Sequence, residues 1–144
     1  VQDQRLKAAK ILIVDDDQRS VHLLERMLRN AGYTHVTSTT DPRQALPLYL
    51  QVQADILLLA LNMPFLDGTE VASQINRRVP DGQYLPIVLL LTEGGLIAKR
   101  DVPEGVADLW RKPLEGGEIL CRVRNLLMLR FLSRELERLK GSVA

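Results

Sequence analysis

The sequence predicts an α/β fold: a doubly wound parallel sheet of five βα units, with strand order 2-1-3-4-5 and an extended C-terminal helix. Three observations predict it. Short aliphatic runs alternate with segments of helical period, the runs are apolar on both faces as buried parallel strands are, and each connection is long enough for a helix. A chain of 144 residues, 46% hydrophobic and 26% charged, supports one core of ordinary size. We place an N-terminal tail at residues 1–9, the domain at 10–128 and a helical extension at 129–144.

The first strand is Lys10 to Val14, β-branched and ending in carboxylates. From Gln18 to Ala31, the positions of Val21, Leu24, Leu28 and Ala31 recur at helical spacing, and Gly32 ends that helix. Thr34 to Thr39, rich in Thr and Val, is the second strand. Asp41-Pro42 pairs an N-cap with proline at the first helical position, and Pro47 inside the helix should kink or shorten it. Asp55 to Leu59 is the third strand. The turn-rich loop Asn62 to Gly68 leads into a helix with Val71, Ile75 and Val79 on one side. Pro86 to Leu91 is the fourth strand. Beyond it Gly94, Gly95, Pro103 and Gly105 allow only a short helix near Leu96 to Val102. Asp108 to Arg111 is the fifth strand, and Leu114 to Lys140 forms one long helix. This arrangement is flavodoxin-like, and ligands of such sheets bind beyond the carboxyl ends of the strands, beside the reversal between strands 1 and 3.

Those ends carry Asp15, Asp16 and Asp17 after strand 1, Ala60 and Asn62 after strand 3, Thr92 after strand 4 and Lys112 after strand 5. One aspartate after a strand is commonly just a cap for the next helix; polar residues at four of five strand ends are not explained that way. Adjacent carboxylates suit Mg²⁺, a threonine hydroxyl can donate to a phosphoryl oxygen, and a lysine can neutralise its charge. The set has the chemistry of a phosphoryl-transfer site.

Ile11 to Asp17, the stretch Ala54 to Pro64 with Asp67-Gly68, Thr92, and Lys112-Pro113 together resemble a response-regulator receiver domain over residues 10 to about 130. The resemblance implies that Asp15 and Asp16 hold Mg²⁺ with the backbone carbonyl of Asn62, that Thr92 is the switch hydroxyl and Lys112 the phosphate-facing lysine, and that Pro113 follows a cis peptide bond. It also implies that position 60 is the aspartate that accepts a phosphoryl group from a histidine kinase. Ala60 offers only a methyl group, so the resemblance implies no catalysis by this chain and Mg²⁺ binding that is weak or lost.

Other residues depart from the family's pattern. Glu93 follows Thr92 where a small residue is usual, and its carboxylate could crowd the phosphate space or pair with Lys112. Leu109 stands where an aromatic switch is common, and Trp110, one residue on, should point to the opposite face. The segment from Thr92 to Lys112 is short and interrupted by proline. Two readings of Ala60 stay open: an engineered Asp→Ala knockout of an ordinary receiver, or a natural pseudo-receiver acting by protein–protein interaction. The clustering of the other departures favours the second.

Along the last helix, Ile119, Leu120, Val123, Leu126 and Leu127 can cover the sheet, and Leu129, Leu132, Leu136 and Leu139 continue at the 3-4-3 spacing of a coiled-coil seam. The seam spans under two heptads, so a helix folded back on its own domain competes with a homodimer. The run Cys121 to Leu127 more loosely resembles receivers that precede an output domain through a signalling helix. It implies an output domain absent from this chain, which starts at Val1 and stops at Ala144 like an excised fragment.

Partners on this reading are a sensor kinase or another signalling protein. The net charge of +1 and the interleaved Glu135 and Glu137 speak against nucleic acid. No apolar run reaches membrane-spanning length, and residues 1–10 lack the apolar core of a signal peptide. The single cysteine, Cys121, excludes an internal disulfide and reads as packed; with the missing signal peptide it points to the cytoplasm. His22 and His35 have no partner at metal-ligand spacing.

A competing function is a haloacid-dehalogenase-type phosphatase with Asp15 as nucleophile and Asp17 as acid. Gln18-Arg19 does not match its turn, no acidic pair follows Lys112, and there is no cap segment. A flavin-binding flavodoxin would need a phosphate loop after strand 1, where three carboxylates would repel phosphate.

Overall fold

The computed structural model describes residues 2–143. Its elements are α1 (Asp3–Lys7), β1 (Lys10–Val14), α2 (Gln18–Asn30), β2 (His35–Thr39), α3 (Ala45–Val52), β3 (Ile56–Ala60), α4 (Gly68–Asn76), β4 (Ile87–Leu91), β5 (Val106–Arg111) and α5 (Gly116–Val143). All pairings are parallel and the sheet order is β2-β1-β3-β4-β5, as the alternation of strands and helices predicts.

The pleat divides the strands between two cores. Ile11, Ile13, Ile56, Leu58 and Trp110 face α1, α2 and α5, meeting Leu24, Leu28, Val123, Leu127 and Phe131. Leu12, Val14, Leu57, Leu59 and Leu89 face the other side, meeting Val71 and Ile75. Successive side chains of a strand point to opposite faces, so a run such as Ile56–Ala60 must be apolar throughout to serve both cores. Trp110 and Leu109 separate to opposite cores as the period of two predicts.

Several details differ from the sequence reading. Residues 1–9, expected as a tail, contain α1, which buries Leu6 completely and ties to α5 through Asp3–Arg124 at 2.6 Å and Arg5–Glu135 at 3.1 Å. Five residues with one buried apolar side chain are too short to leave a periodic signal.

The segment after Asp41 opens as a 3-10 turn over Pro42–Gln44, and the α-helix begins at Ala45. Pro47 therefore lies in the first helical turn, where no backbone N–H is needed, and the break falls before it. Between β4 and β5 the only helical turn is the 3-10 element Lys99–Asp101, in line with the proline and glycine content there.

The boundary at residue 128 also moves. Beyond it α5 still buries Arg130 and Phe131 against the domain, while Leu129, Leu132, Leu136 and Leu139 are 53%, 50%, 55% and 51% exposed. The seam thus lies on the half-exposed side of the helix. Cys121, expected to be packed, is exposed. It lies two positions from Ile119 and Val123, which occupy the buried stripe.

Candidate functional site

Asp15, Thr92 and Lys112 directly follow strands and Ala60 ends one, so these four stand at the carboxyl end of the sheet, with Asp16, Asp17 and Asn62 in the loops just beyond. Asp15 follows β1 and is fully buried; its backbone N–H donates to the Thr39 carbonyl at 3.2 Å. Asp16 is exposed. Asp17 is the N-cap of α2: its side chain accepts from the Arg19 backbone N–H at 3.0 Å and the Ser20 hydroxyl at 3.2 Å. The Arg19 N–H, the largest influence, holds the Asp17 carboxyl below the usual aspartate range. A carboxylate kept ionised as a cap is poorly suited to donate a proton, which removes the acid that the phosphatase reading needs.

Ala60 ends β3 beside Leu90 of β4 and is 3% exposed. The loop behind it closes tightly: the Gly68 N–H donates to the Leu61 carbonyl at 2.8 Å, and a Cβ at Gly68 would collide with the Ala60 carbonyl oxygen. Asp67 and Glu70 form a capping box that starts α4, with Glu70 N–H on Asp67 at 3.0 Å and Asp67 N–H on Glu70 at 3.2 Å. Asn62 is exposed in this loop. Phe65, at φ +70° and 71% exposed, is stacked by the Arg43 guanidinium 3.9 Å from its ring centre.

Thr92 is exposed at the end of β4 and opens a turn in which the Gly95 N–H donates to its carbonyl at 2.8 Å. Gly94 takes φ +72° there. Glu93 is exposed in the same turn.

Lys112 follows β5 and its peptide bond to Pro113 is cis, as expected. Its ammonium does not pair with Glu93. Lys112 Nζ lies 2.8 Å from Asp15 Oδ2, while Asp15 Oδ1 accepts from the Asp17 N–H at 2.9 Å. Since β3 and β4 lie between β1 and β5, this ion pair closes across the end of the strand that finishes with Ala60.

For a divalent cation the donors here are the Asp15 and Asp16 carboxylates and the Asn62 carbonyl. Among the described residues no group of three or more His, Cys, Asp or Glu side chains is placed to hold a metal. One of the two carboxylates is already neutralised by Lys112, so the residues present do not fit a tight Mg²⁺ site.

The opposite end of the sheet holds a cluster that reading the strand ends overlooks. Asp55, just before β3, is buried; its Oδ2 accepts from the Lys10 N–H at 2.9 Å and its Oδ1 faces Arg130 and Arg134 of α5, each at 3.3 Å. Arg130 also donates to the Tyr84 carbonyl at 3.0 Å. The buried aspartate on a strand was the available signal, but its partners lie 75 and 79 residues away.

His22 contacts Gln18 at 2.9 Å and His35 contacts Thr34 at 3.0 Å, both on the surface. No described helix is long and apolar enough to cross a membrane.

Comparison with known proteins matches residues 11–124 to the response regulator receiver domain. Among curated proteins, the chain is 31% identical over 136 residues to the response regulator PleD of Caulobacter vibrioides, covering 94% of this chain and 30% of PleD. It is 38% identical over 120 residues to the response regulator MprA of Mycolicibacterium vanbaalenii, covering 82% of this chain and 50% of MprA. The chain thus spans half or less of these relatives. Among solved structures, the Vibrio cholerae chemotaxis protein CheY4 superimposes with a TM-score of 0.69 at 26% identity, covering 83% of this chain and 98% of that one.

Proposed function

This chain belongs to the response regulator receiver domain family of two-component signalling, and we propose that within it the chain is a pseudo-receiver. On this reading Ala60 occupies the phosphoacceptor position, so the chain takes no phosphoryl group, catalyses nothing and signals through protein contacts. The observation that carries it is the Lys112–Asp15 pair at 2.8 Å, which joins the ends of β5 and β1 on either side of β3, the strand that Ala60 ends. Lys112, Thr92 and Glu93 then remain as remnants of a phosphate site, and Asp15, Asp16 and the Asn62 carbonyl as a weak Mg²⁺ site. The reading includes a sensor kinase or another signalling protein as partner, an output domain beyond the signalling helix, and a cytoplasmic setting without nucleic-acid contact by this chain.

Incubation with acetyl phosphate and Mg²⁺ is expected to leave the intact mass unchanged. A stable phosphorylated species would overturn the reading. Ala60→Asp tests the remainder of the site: if the restored aspartate still takes no phosphate, Glu93 and the shortened segment before β5 belong to the same loss of function.

A homodimer through Leu129, Leu132, Leu136 and Leu139 completes the proposal, supported by their half-exposed stripe on the outer side of α5. Sedimentation is expected to show a dimer that Leu132→Glu with Leu136→Glu converts to monomer. A wild-type chain that stays monomeric at high concentration counts against it.

A further inference from the structure

At the amino ends of the strands, remote from Ala60, α5 and the base of β3 enclose a cleft of about 520 Å³. We propose that this cleft binds a phosphate-bearing small molecule, of the size of a mononucleotide, through Arg78, Arg134 and Lys10. The proposal is independent of whether Ala60 blocks phosphorylation. β3 spans five residues, so the cleft and Ala60 are separated by about 17 Å of extended strand.

The charge balance favours an anion. Lys10, Arg78, Arg130 and Arg134 line the cleft against only two carboxylates, Asp55 and Glu137. Glu137, at the rim beside Gly82, is itself paired with Lys140 at 3.5 Å. Asp55 has both oxygens engaged, by the Lys10 backbone N–H at 2.9 Å and by Arg130 and Arg134 at 3.3 Å each. Its single charge is therefore shared between two guanidinium groups.

The cations differ in how they are held. Arg130 is 9% exposed and fixed between Asp55 and the Tyr84 carbonyl, so it forms a rigid cationic wall. Arg134 is half exposed, with Asp55 as its only ion-pair partner among the described residues, and Arg78 and the Lys10 ammonium have none there. A guanidinium matches two phosphate oxygens in one plane, and a partly enclosed cleft weakens the screening that solvent gives at an open surface. Tyr49, half-buried in the same lining, supplies an aromatic surface for a base or sugar.

Amide spectra of the whole chain titrated with GMP, guanosine and pyrophosphate test the proposal. GMP is expected to shift amides around Lys10, Gln53, Arg78 and Ser133 in a saturable way, guanosine to shift none, and added salt to weaken the binding. Pyrophosphate binding as tightly as GMP would assign the site to free phosphates; tighter GMP binding would assign it to nucleotides. Arg78→Ala and Arg134→Ala change exposed side chains and are expected to raise Kd by roughly tenfold each, with melting temperature as a check on folding. No saturable shift at millimolar ligand, shifts centred elsewhere, or binding unchanged in both variants would overturn the proposal.

Discussion

Lys112 Nζ meets Asp15 Oδ2 at 2.8 Å, and the aspartate side chain is 1% exposed while that of the lysine is 20% exposed. Oδ2 is buried and makes no directional hydrogen bond, so the lysine charge is its compensation. Lys112→Met leaves that carboxylate buried and unpaired. It is expected to lower stability by about 2–3 kcal/mol, towards the lower end for a buried pair because the lysine is partly solvated. Urea unfolding at neutral pH measures it; a loss under half a unit would mean that the pair stabilises nothing.

Asp17 links stability to pH through the cap it makes. Its carboxyl is held below the ordinary aspartate value of 3.8 chiefly by the Arg19 N–H, so the folded state binds its proton more weakly than the unfolded chain does. The stabilisation is complete above that ordinary value and disappears as pH falls through the lower folded value. Asp17→Asn should keep the cap and flatten this acid limb of the urea midpoint, whereas Asp17→Ala should cost about 1 kcal/mol at neutral pH. An acid limb unchanged in Asp17→Asn refutes the assignment.

Gly68 is required by contact with Ala60. A methyl group there would meet the Ala60 carbonyl oxygen and the Leu61 Cα, backbone atoms that cannot swing aside. Gly68→Ala, although favourable for an isolated helix, is expected to destabilise the domain by about 1–3 kcal/mol. Thermal unfolding compared with Gln74→Ala in the same helix separates the clash from ordinary helix propensity.

Asp55 fastens α5 to the sheet. Asp55→Ala leaves Arg130, 9% exposed, without its counter-charge and should cost about 3 kcal/mol. Hydrogen exchange is expected to quicken mainly in α5 beyond Leu127, with the strands affected less. Uniform loss of protection across the sheet would show instead that Asp55 supports the whole core.

The strands were legible because burial on both faces demands continuous apolar runs, and the site because its polar residues sit where those runs stop. The opposite orientation of Leu109 and Trp110 followed from the period of two alone. What escaped was set by contacts between distant parts of the chain. The short α1 is held by Leu6 and its ion pairs to α5, and the Asp55–Arg130–Arg134 cluster joins residues far apart in sequence. Cys121 sits beside the apolar Leu120 and so looks packed in sequence, but its phase relative to the buried Ile119 and Val123 points it outward. The sequence pairs Lys112 with Glu93 as one option, but the structure pairs it with Asp15, a contact between the ends of β5 and β1 that no local spacing reveals.

The 28 residues of α5 make a rod about 42 Å long, anchored to the sheet near its middle by Arg130 and Arg134. Asp55 thereby stands as the fulcrum of a lever. The part beyond Arg130 is about 20 Å long, so a tilt of about 10° there displaces the tip by about 3.5 Å. The Arg5–Glu135 contact at 3.1 Å resists that tilt from the side of α1, so the angle of the rod is set jointly by one carboxylate at the floor of the sheet and one on the helix itself.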